Sequence, residues 1–314
     1  MSDEGGPATS DASGNAITRP PTSDVVLLVV AMLAIGTSGP LIAATTVGAV
    51  ALAFWRSLLG SGLTLPFSLL RHRGELRGMT RAEWRGTALA GALLGAHFAA
   101  WLPSLRFTSV ASSTALVALQ PVWAALIARS RGAHVPRQAW VGIVVALVGV
   151  LVLTGIDVST DPRHLVGDLL ALVGGMLSAA YVTAGERVRQ TVSTPTYTSV
   201  AYAVSALVLL PLCLLLGQDL WGYSPGGWGT VLALTFGAQL LGHTLINRVV
   251  LTSGATVTSL AILLEMPFST IIAAVWLGQV PPPAVIPAVV LIFAGLVVVI
   301  RSGDRRAEQE TPPV

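Results

Sequence analysis

Hydrophobic and polar positions alternate along this chain on the scale of whole segments. A helix needs about 20 apolar residues to cross a bilayer. Segments of that kind are separated by short connections carrying Pro, Gly or Arg, and they lie at 24–42, 47–70, 84–103, 108–129, 137–155, 167–186, 196–217, 227–247, 252–277 and 283–301. The pattern predicts an all-α integral membrane protein with ten transmembrane helices. No connection is long enough to hold an extramembrane domain.

The order of segments is itself repeated. At an offset of 144 residues, and after a slip of two residues at an offset of 146, landmarks of the two halves coincide. The pairs include Asp24 with Asp168, Met32 with Met176, Trp84 with Trp228, Thr108 with Thr252, Pro121 with Pro267, Gly132 with Gly278, and Gly149 with Gly295. Each copy holds five helices, an odd number, so the second copy starts on the opposite side. The pattern therefore predicts two inverted five-helix repeats, an arrangement typical of transporters.

Arginine counts give the orientation. If connections are assigned alternately to the two sides, the side holding the N-terminus receives 15 of the 18 basic residues, all of which are Arg. The other side receives Arg106 and Arg163, and Arg56 lies within a helix. By the positive-inside rule we expect both termini to be cytoplasmic in a multi-pass protein of the plasma membrane.

Composition supports this interpretation. The chain is 53% hydrophobic and 11% charged, whereas soluble domains carry roughly 25% charged residues. The net charge of +3 comes from Arg in short loops and indicates no nucleic-acid partner. Residues 1–23 and 302–314 are polar and are predicted to be disordered cytoplasmic tails. Cys213 lies in an apolar run and is interpreted as a small buried hydrophobe.

Two stretches resemble the EamA-type family of the drug/metabolite transporter superfamily. They are GTALAGALLGAHFAAWLPSLRFTSVASSTALVALQPVW at 86–123 and GHTLINRVVLTSGATVTSLAILLEMPFSTIIAAVWLG at 242–278. The resemblance implies EamA-like repeats at 24–155 and 167–301. It also implies a secondary carrier, often an exporter of amino acids, other metabolites or toxic compounds.

Two charged residues are predicted within the membrane. An acidic side chain at the depth expected for Glu265 costs roughly 2.5–3.5 kcal/mol, and such residues often mark transport pathways. Glu265 is a candidate for carrying a proton or binding a substrate amine; the alternative is a structural carboxyl beside backbone freed by Pro267. Arg56 follows Trp55 and can pair with Glu265 or bind a substrate carboxylate; the alternative is a structural Arg that snorkels or caps helix ends.

Uncharged polar residues extend the set of candidates. His97 and His243 lie on corresponding helices and are candidates for a proton relay, but the alternative, histidines satisfied by packing, is the favoured interpretation. Gln120 and Gln239 can line a polar cavity or join helices by hydrogen bonds. No metal site is expected, because ligands are not clustered.

Prolines and aromatic residues complete the picture. Pro121 and Pro267 are predicted to kink the fourth and ninth helices and to place them at the cavity, because backbone freed by a kink must face protein or water. Trp123, Tyr181 and Tyr202 are candidates for a pocket wall, whereas Trp101 and Trp276, near helix ends, suit an interfacial belt. A GxxxG at Gly91 and Gly95 indicates close helix packing.

Secondary-active transport of small molecules by alternating access is the leading hypothesis, with possible proton coupling. An enzyme is not indicated, because the chain holds no HExxH, GxSxG or Walker loop. The alternatives are a membrane scaffold or sensor that transports nothing, and a carrier of another inverted five-plus-five fold. No cofactor is expected, and the sequence leaves substrate, direction and oligomeric state open.

Overall fold

The computed structural model describes residues 21–108, 110–154, 161–277 and 283–310. Every regular element in these ranges is helical. The helices of the first half are α1 Thr22–Gly36, α2 Ser38–Ala43, α3 Ala49–Arg71, α4 Arg73–Gly78, α5 Arg81–Ser104, α6 Val110–Val117, α7 Gln120–Ser130 and α8 Arg137–Thr154. Those of the second half are α9 Pro162–Val188, α10 Thr194–Leu215, α11 Pro225–Leu234, a π-helical segment Thr235–His243, α12 Thr244–Ile262, α13 Glu265–Leu277 and α14 Val285–Glu310.

Six helical stretches in the described ranges are long and apolar enough to cross a membrane. They are Thr22–Ile42, Ala49–Arg71, Pro162–Val188, Thr194–Leu215, Pro225–Ile262 and Val285–Ser302. Two shorter apolar helices lie at Ala115–Ser130 and Arg137–Val152. The all-helical class follows from this, and the exact number of ten spans stays a prediction.

Several predicted boundaries differ from the observed ones. The connection predicted between 247 and 252 instead forms a corner at Gly254, whose φ of 71° is open to glycine but strained for other residues. Helix α14 continues to Glu310, into a segment expected to be a disordered tail. Of the two predicted tails, residues 1–20 and 311–314 lie outside the described part of the chain.

Equivalent helices of the two halves make equivalent contacts. α3 packs against α10, and α8 packs against α14. α5 and α7 pack against α9, and in the same way the π-helical segment and α13 pack against α1. Each half therefore supplies its first helix as the partner of the other half's third and fourth helices.

Glycines bring the central helices into close contact, as the GxxxG pattern predicts. A Cβ added to Gly91 on α5 would lie 2.5 Å from the carbonyl oxygen of Ala201 on α10, and one added to Gly95 would lie 3.0 Å from that of Ser205. Hydroxyl groups reinforce the next contact, because Oγ of Ser57 on α3 lies 3.1 Å from Oγ of Ser205. The backbones of these helices meet without intervening side chains.

The connection between α3 and α5 caps a helix of the second half. The Glu75 carboxylate on α4 accepts hydrogen bonds from the backbone N–H of Ser193 at 2.5 Å, from the hydroxyl of Ser193 at 2.5 Å and from that of Thr196 at 2.6 Å. Ser193 is the residue that precedes α10. A carboxylate at this end satisfies helix N–H groups that have no partner within the helix.

Candidate functional site

Two broken helices place polar residues at the centre of the molecule. The segment predicted as the fourth span ends at Val117 and resumes at Gln120, and the ninth span ends at Ile262 and resumes at Glu265. Pro121 and Pro267 stand in the first turn of the resumed helices. Proline lacks the N–H that a continuous helix requires but fits a first turn. The sequence predicts kinks here; in the structure each α-helix is interrupted for two residues, which form tighter turns with bonds such as Leu264 N–H to the carbonyl oxygen of Ala261 at 3.0 Å. Each interruption is followed directly by a polar side chain.

Both breaks border one cavity between the halves. It has a volume of about 50 Å³, and its polar lining consists of Ser38, Arg56, His97, Trp101, Gln120, Ser178, His243 and Glu265. Ile35, Val117, Ile246 and Ile262 supply the apolar wall. This volume holds a few water molecules, whereas pockets for drug-sized ligands run from about 300 Å³. In this structure the cavity is thus too small for a drug-sized ligand.

Arg56 is held at the cavity by the second half. Its side chain is 1% exposed. Nε donates to Oε1 of Gln239 at 2.8 Å, and the guanidinium carbon lies 4.5 Å from the ring centre of Phe98. Nη2 of Arg56 and Nε2 of Gln239 find no hydrogen-bond partner among the described residues. A buried guanidinium with a free N–H group is suited to an anionic or carbonyl group.

Glu265 begins α13 and lines the same cavity. Within the described ranges its carboxylate makes no hydrogen bond or ion pair, so the direct pairing with Arg56 considered from the sequence is not formed. Its position at the start of a helix places it beside backbone N–H groups that favour negative charge. A carboxylate and an incompletely bonded guanidinium therefore border the same small space.

The two histidines reach the cavity from different helices. Nδ1 of His97 lies 2.9 Å from the carbonyl oxygen of Gly174. A carbonyl only accepts, so Nδ1 is the protonated nitrogen. His243 is the last residue of the π-helical segment, and its Nδ1 has no partner in the described part. His97 thus has the bond expected of a packing histidine, while His243 keeps an unused ring nitrogen.

Gln120 and Gln239 fulfil both roles considered for them. Gln120 lines the cavity and donates from Nε2 to Oγ of Ser259 at 3.1 Å, which joins the two broken helices. Gln239 is fully buried behind Arg56 and holds its guanidinium. It sits in a π-helical segment, a local widening that often occurs at functional sites.

The aromatic candidates occupy a different layer. Tyr202 donates to the carbonyl oxygen of Gln239 at 3.1 Å, and Tyr181 donates to Oδ1 of Asn247 at 2.8 Å. Both are buried behind the cavity wall. Trp123 on α7 is not among the residues that line the cavity. None of these three side chains is among those that line the cavity.

Trp101 corrects an expectation. Its position near a helix end predicts an interfacial belt, but Trp101 lines the cavity. Its ring is stacked on that of His97, with 5.7 Å between the ring centres. Helix α9 approaches closely here, since a Cβ on Gly174 would lie 3.1 Å from Cβ of Trp101. The side chain of Trp276 lies outside the described residues.

Sequence reasoning missed two serines of the site. Ser38 follows the end of α1, and Ser178 lies one turn beyond Gly174 on α9. The adjacent Gly174 and Gly175 are the signal that could have marked this face of α9, because small residues indicate where another helix packs. No comparable signal marks Ser38.

Comparisons with known proteins agree with this architecture. The profile of the EamA-like transporter family matches residues 22–155 and again residues 165–301. A protein of Archaeoglobus fulgidus described as an uncharacterized transporter is 27% identical over 174 residues, which cover 53% of this chain and 57% of that protein. An uncharacterized transporter of Haemophilus influenzae is 31% identical over 144 residues, 45% of this chain and 82% of its own. The chain thus spans little more than half the length of the archaeal relative.

A solved crystal structure shares the fold. It superimposes with a TM-score of 0.72 at 20% sequence identity, and the match covers 92% of this chain and 99% of the other. At this identity the similarity concerns the fold alone.

Proposed function

The chain belongs to the EamA-like transporter family, and we propose that it is a secondary-active carrier that exports small organic molecules by alternating access. The observation that carries the proposal is the small cavity between the two family repeats. Arg56 and Glu265 border it, and Nη2 of Arg56 has no hydrogen-bond partner among the described residues. Ionisable residues inside a membrane are costly and typically mark substrate or ion pathways.

The contacts between halves support an inverted ten-helix arrangement. Each half provides five predicted crossings, and equivalent helices make equivalent contacts across the centre. Five crossings per half reverse the second half relative to the first. Binding between such halves, at broken helices near the midplane, is the usual plan of secondary transporters.

The proposed membrane orientation follows from Arg. With 15 of 18 Arg residues on the side of the N-terminus, both termini are assigned to the cytoplasm and the protein to the plasma membrane. Export is proposed from the character of the family. Small metabolites, amino acids and drugs are the candidate substrate classes.

The site chemistry suits a polar substrate. The free Nη2 of Arg56 can donate to a carboxylate or carbonyl, and the Glu265 carboxylate can accept from an amine or take up a proton. The titratable and charged side chains that face the cavity are Arg56, His97, His243 and Glu265. A proton on Glu265 removes the negative charge that balances Arg56, so protonation and substrate binding are coupled in this proposal.

The proposed cycle requires the cavity to enlarge. A space of about 50 Å³ excludes any organic substrate, so one half must rock against the other to open it. A scaffold or sensor needs no such polar cavity, and its presence favours transport over that alternative. No step requires an enzymatic reaction.

Metabolite efflux tests the proposal. Cells lacking the protein and cells overproducing it are compared by mass spectrometry of the medium. The proposal expects at least one small organic compound to accumulate outside in proportion to the protein. Identical profiles in the two strains would argue against it.

A further inference from the structure

The same hydrogen bond occurs twice between the two halves. Oγ1 of Thr108 donates to Oδ1 of Asp168 at 2.6 Å. Oγ1 of Thr252 donates to Oδ2 of Asp24. In the sequence the two aspartates are 144 residues apart, and so are the two threonines. Each bond thus joins an aspartate of one half to a threonine of the other, with the roles of the halves exchanged.

The two aspartates occupy equivalent places at helix starts. Asp24 lies in the first turn of α1, which begins at Thr22, and Asp168 lies in the second turn of α9, which begins at Pro162. The N-terminal end of a helix favours negative charge. Each carboxylate is therefore carried near the start of its own helix, while its threonine partner belongs to the other half.

The two threonines occupy places where the chain changes direction. Thr108 follows the turn that ends α5, and Thr252 stands just before the corner at Gly254. The Thr252 hydroxyl has a second acceptor in its own helix, the carbonyl oxygen of Val249 at 3.0 Å. Separation from Asp24 therefore does not leave this hydroxyl without an acceptor.

Both contacts are closed in this structure. At the first, a Cβ on Gly167 would lie 2.6 Å from the backbone nitrogen of Thr108, so the turn rests directly on α9. At the second, Asp24 is 7% exposed. The central cavity that lies between them is small, with a volume of about 50 Å³.

We propose that the Asp24–Thr252 and Asp168–Thr108 bonds are paired latches, one on each of the two access paths to the cavity. With the N-terminus inside, the Asp24 latch closes the cytoplasmic path. Asp168 and Thr108 lie within five residues of Arg163 and Arg106, the two Arg residues assigned to the external side, so their latch closes the external path. This assignment rests on the proposed alternating-access function. In the carrier cycle one latch opens while the other stays closed, because each joins one half to the other at opposite faces.

Accessibility of a cavity cysteine tests the latches without any substrate. The reporter is Ser178→Cys, which lines the cavity, in a Cys213→Ala background that removes the natural cysteine. A membrane-impermeant maleimide is applied to right-side-out and to inside-out vesicles. Thr252→Val and Thr108→Val remove the donor hydroxyl at nearly constant size, and Thr252→Ser and Thr108→Ser are the matched controls that keep it.

The expected changes have opposite sidedness. Thr252→Val raises the labelling rate from the cytoplasmic face, and Thr108→Val raises it from the external face, each on the order of tenfold, since a hydrogen bond to a charged group contributes at least that factor. The serine variants label like the parent. Asp24→Ala and Asp168→Ala, which remove the acceptor, provide a second pair, with the same sidedness, should a valine variant fail to fold.

The proposal is overturned if both valine variants raise labelling from the same face, or if neither differs from its serine control. These outcomes are separate from failure of the transport function. If the protein exports metabolites but shows no sided labelling, only the latch proposal fails. If the protein exports nothing but shows sided labelling, the latch proposal stands and the proposed export function fails.

Discussion

Nε of Arg56 donates to Oε1 of Gln239 at 2.8 Å, which links α3 of the first half to the π-helical segment of the second. The bond fixes the guanidinium against the cavity while Nη2 stays free. The positions are 183 residues apart in sequence, so a residue of each half is needed to form this side of the site.

Replacing Arg56 with lysine tests that arrangement. Lysine keeps the charge but cannot hold Gln239 and present a second N–H group in a fixed geometry. We expect Arg56→Lys to reach the membrane and to lower the efflux rate on the order of tenfold, the factor for one hydrogen bond to a charged group. Arg71→Lys, the same change at the exposed end of α3, is the control. Equal efflux from the two variants would show that guanidinium geometry is not used.

The glycine contact between α5 and α10 predicts an effect on stability. Gly91→Ala places a methyl group 2.5 Å from the carbonyl oxygen of Ala201, and such overpacking costs about 1–3 kcal/mol. Gly62→Ala on α3 is the matched control, because its Cβ meets nothing within 4 Å and alanine favours a helix by about 0.5–1 kcal/mol. Thermal unfolding in detergent should show a lower Tm for Gly91→Ala and an unchanged or higher Tm for Gly62→Ala. A Tm that falls equally in both would contradict close packing.

The cap formed by Glu75 predicts a pH dependence of stability. Burial raises the pKa of this carboxyl, but hydrogen bonds from Ser193 and Thr196 outweigh it, so the pKa is lowered from 4.5. A lowered pKa in the folded state stabilises the protein above the unfolded value of 4.5, and that stabilisation is lost as the pH falls through the folded value. Glu75→Gln should lower Tm at pH 7 and approach the wild type below about pH 4. A Tm difference that is independent of pH would refute the charge-based cap.

The Arg distribution predicts a topology that reporter fusions can measure. A green fluorescent protein fused at the C-terminus should fluoresce, because both termini are assigned to the cytoplasm. Alkaline phosphatase fused within 156–161, between the halves, should be active outside. A fluorescent C-terminal fusion together with an inactive phosphatase fusion would place both sites on the cytoplasmic face and would contradict five crossings per half.

The sequence predicted the general layout because apolar length and periodicity depend on local composition. Pro121 and Pro267 predicted that the helices are disturbed near Gln120 and Glu265, because a missing backbone N–H is a local property of the sequence. The bond between Arg56 and Gln239 could not be found this way, because it depends on how distant helices pack. Trp101 was misplaced for a similar reason: its position near a helix end indicated the interface, and only the approach of Gly174 on α9 turns it to the cavity.

Transport by reconstituted protein is the most direct test of the central claim. Liposomes with wild-type protein or Glu265→Gln are loaded with the compound found in the efflux comparison, and its loss is followed with and without an imposed pH gradient. Glu83→Gln is the control. It makes the same change at the capping box of α5, where glutamine can form the same bonds as glutamate. The account predicts that wild-type and Glu83→Gln liposomes lose the compound at a rate that responds to the pH gradient. For Glu265→Gln it predicts a rate of loss that is lower by about tenfold or more. No loss from wild-type liposomes, or identical rates and pH response in Glu265→Gln, would contradict it.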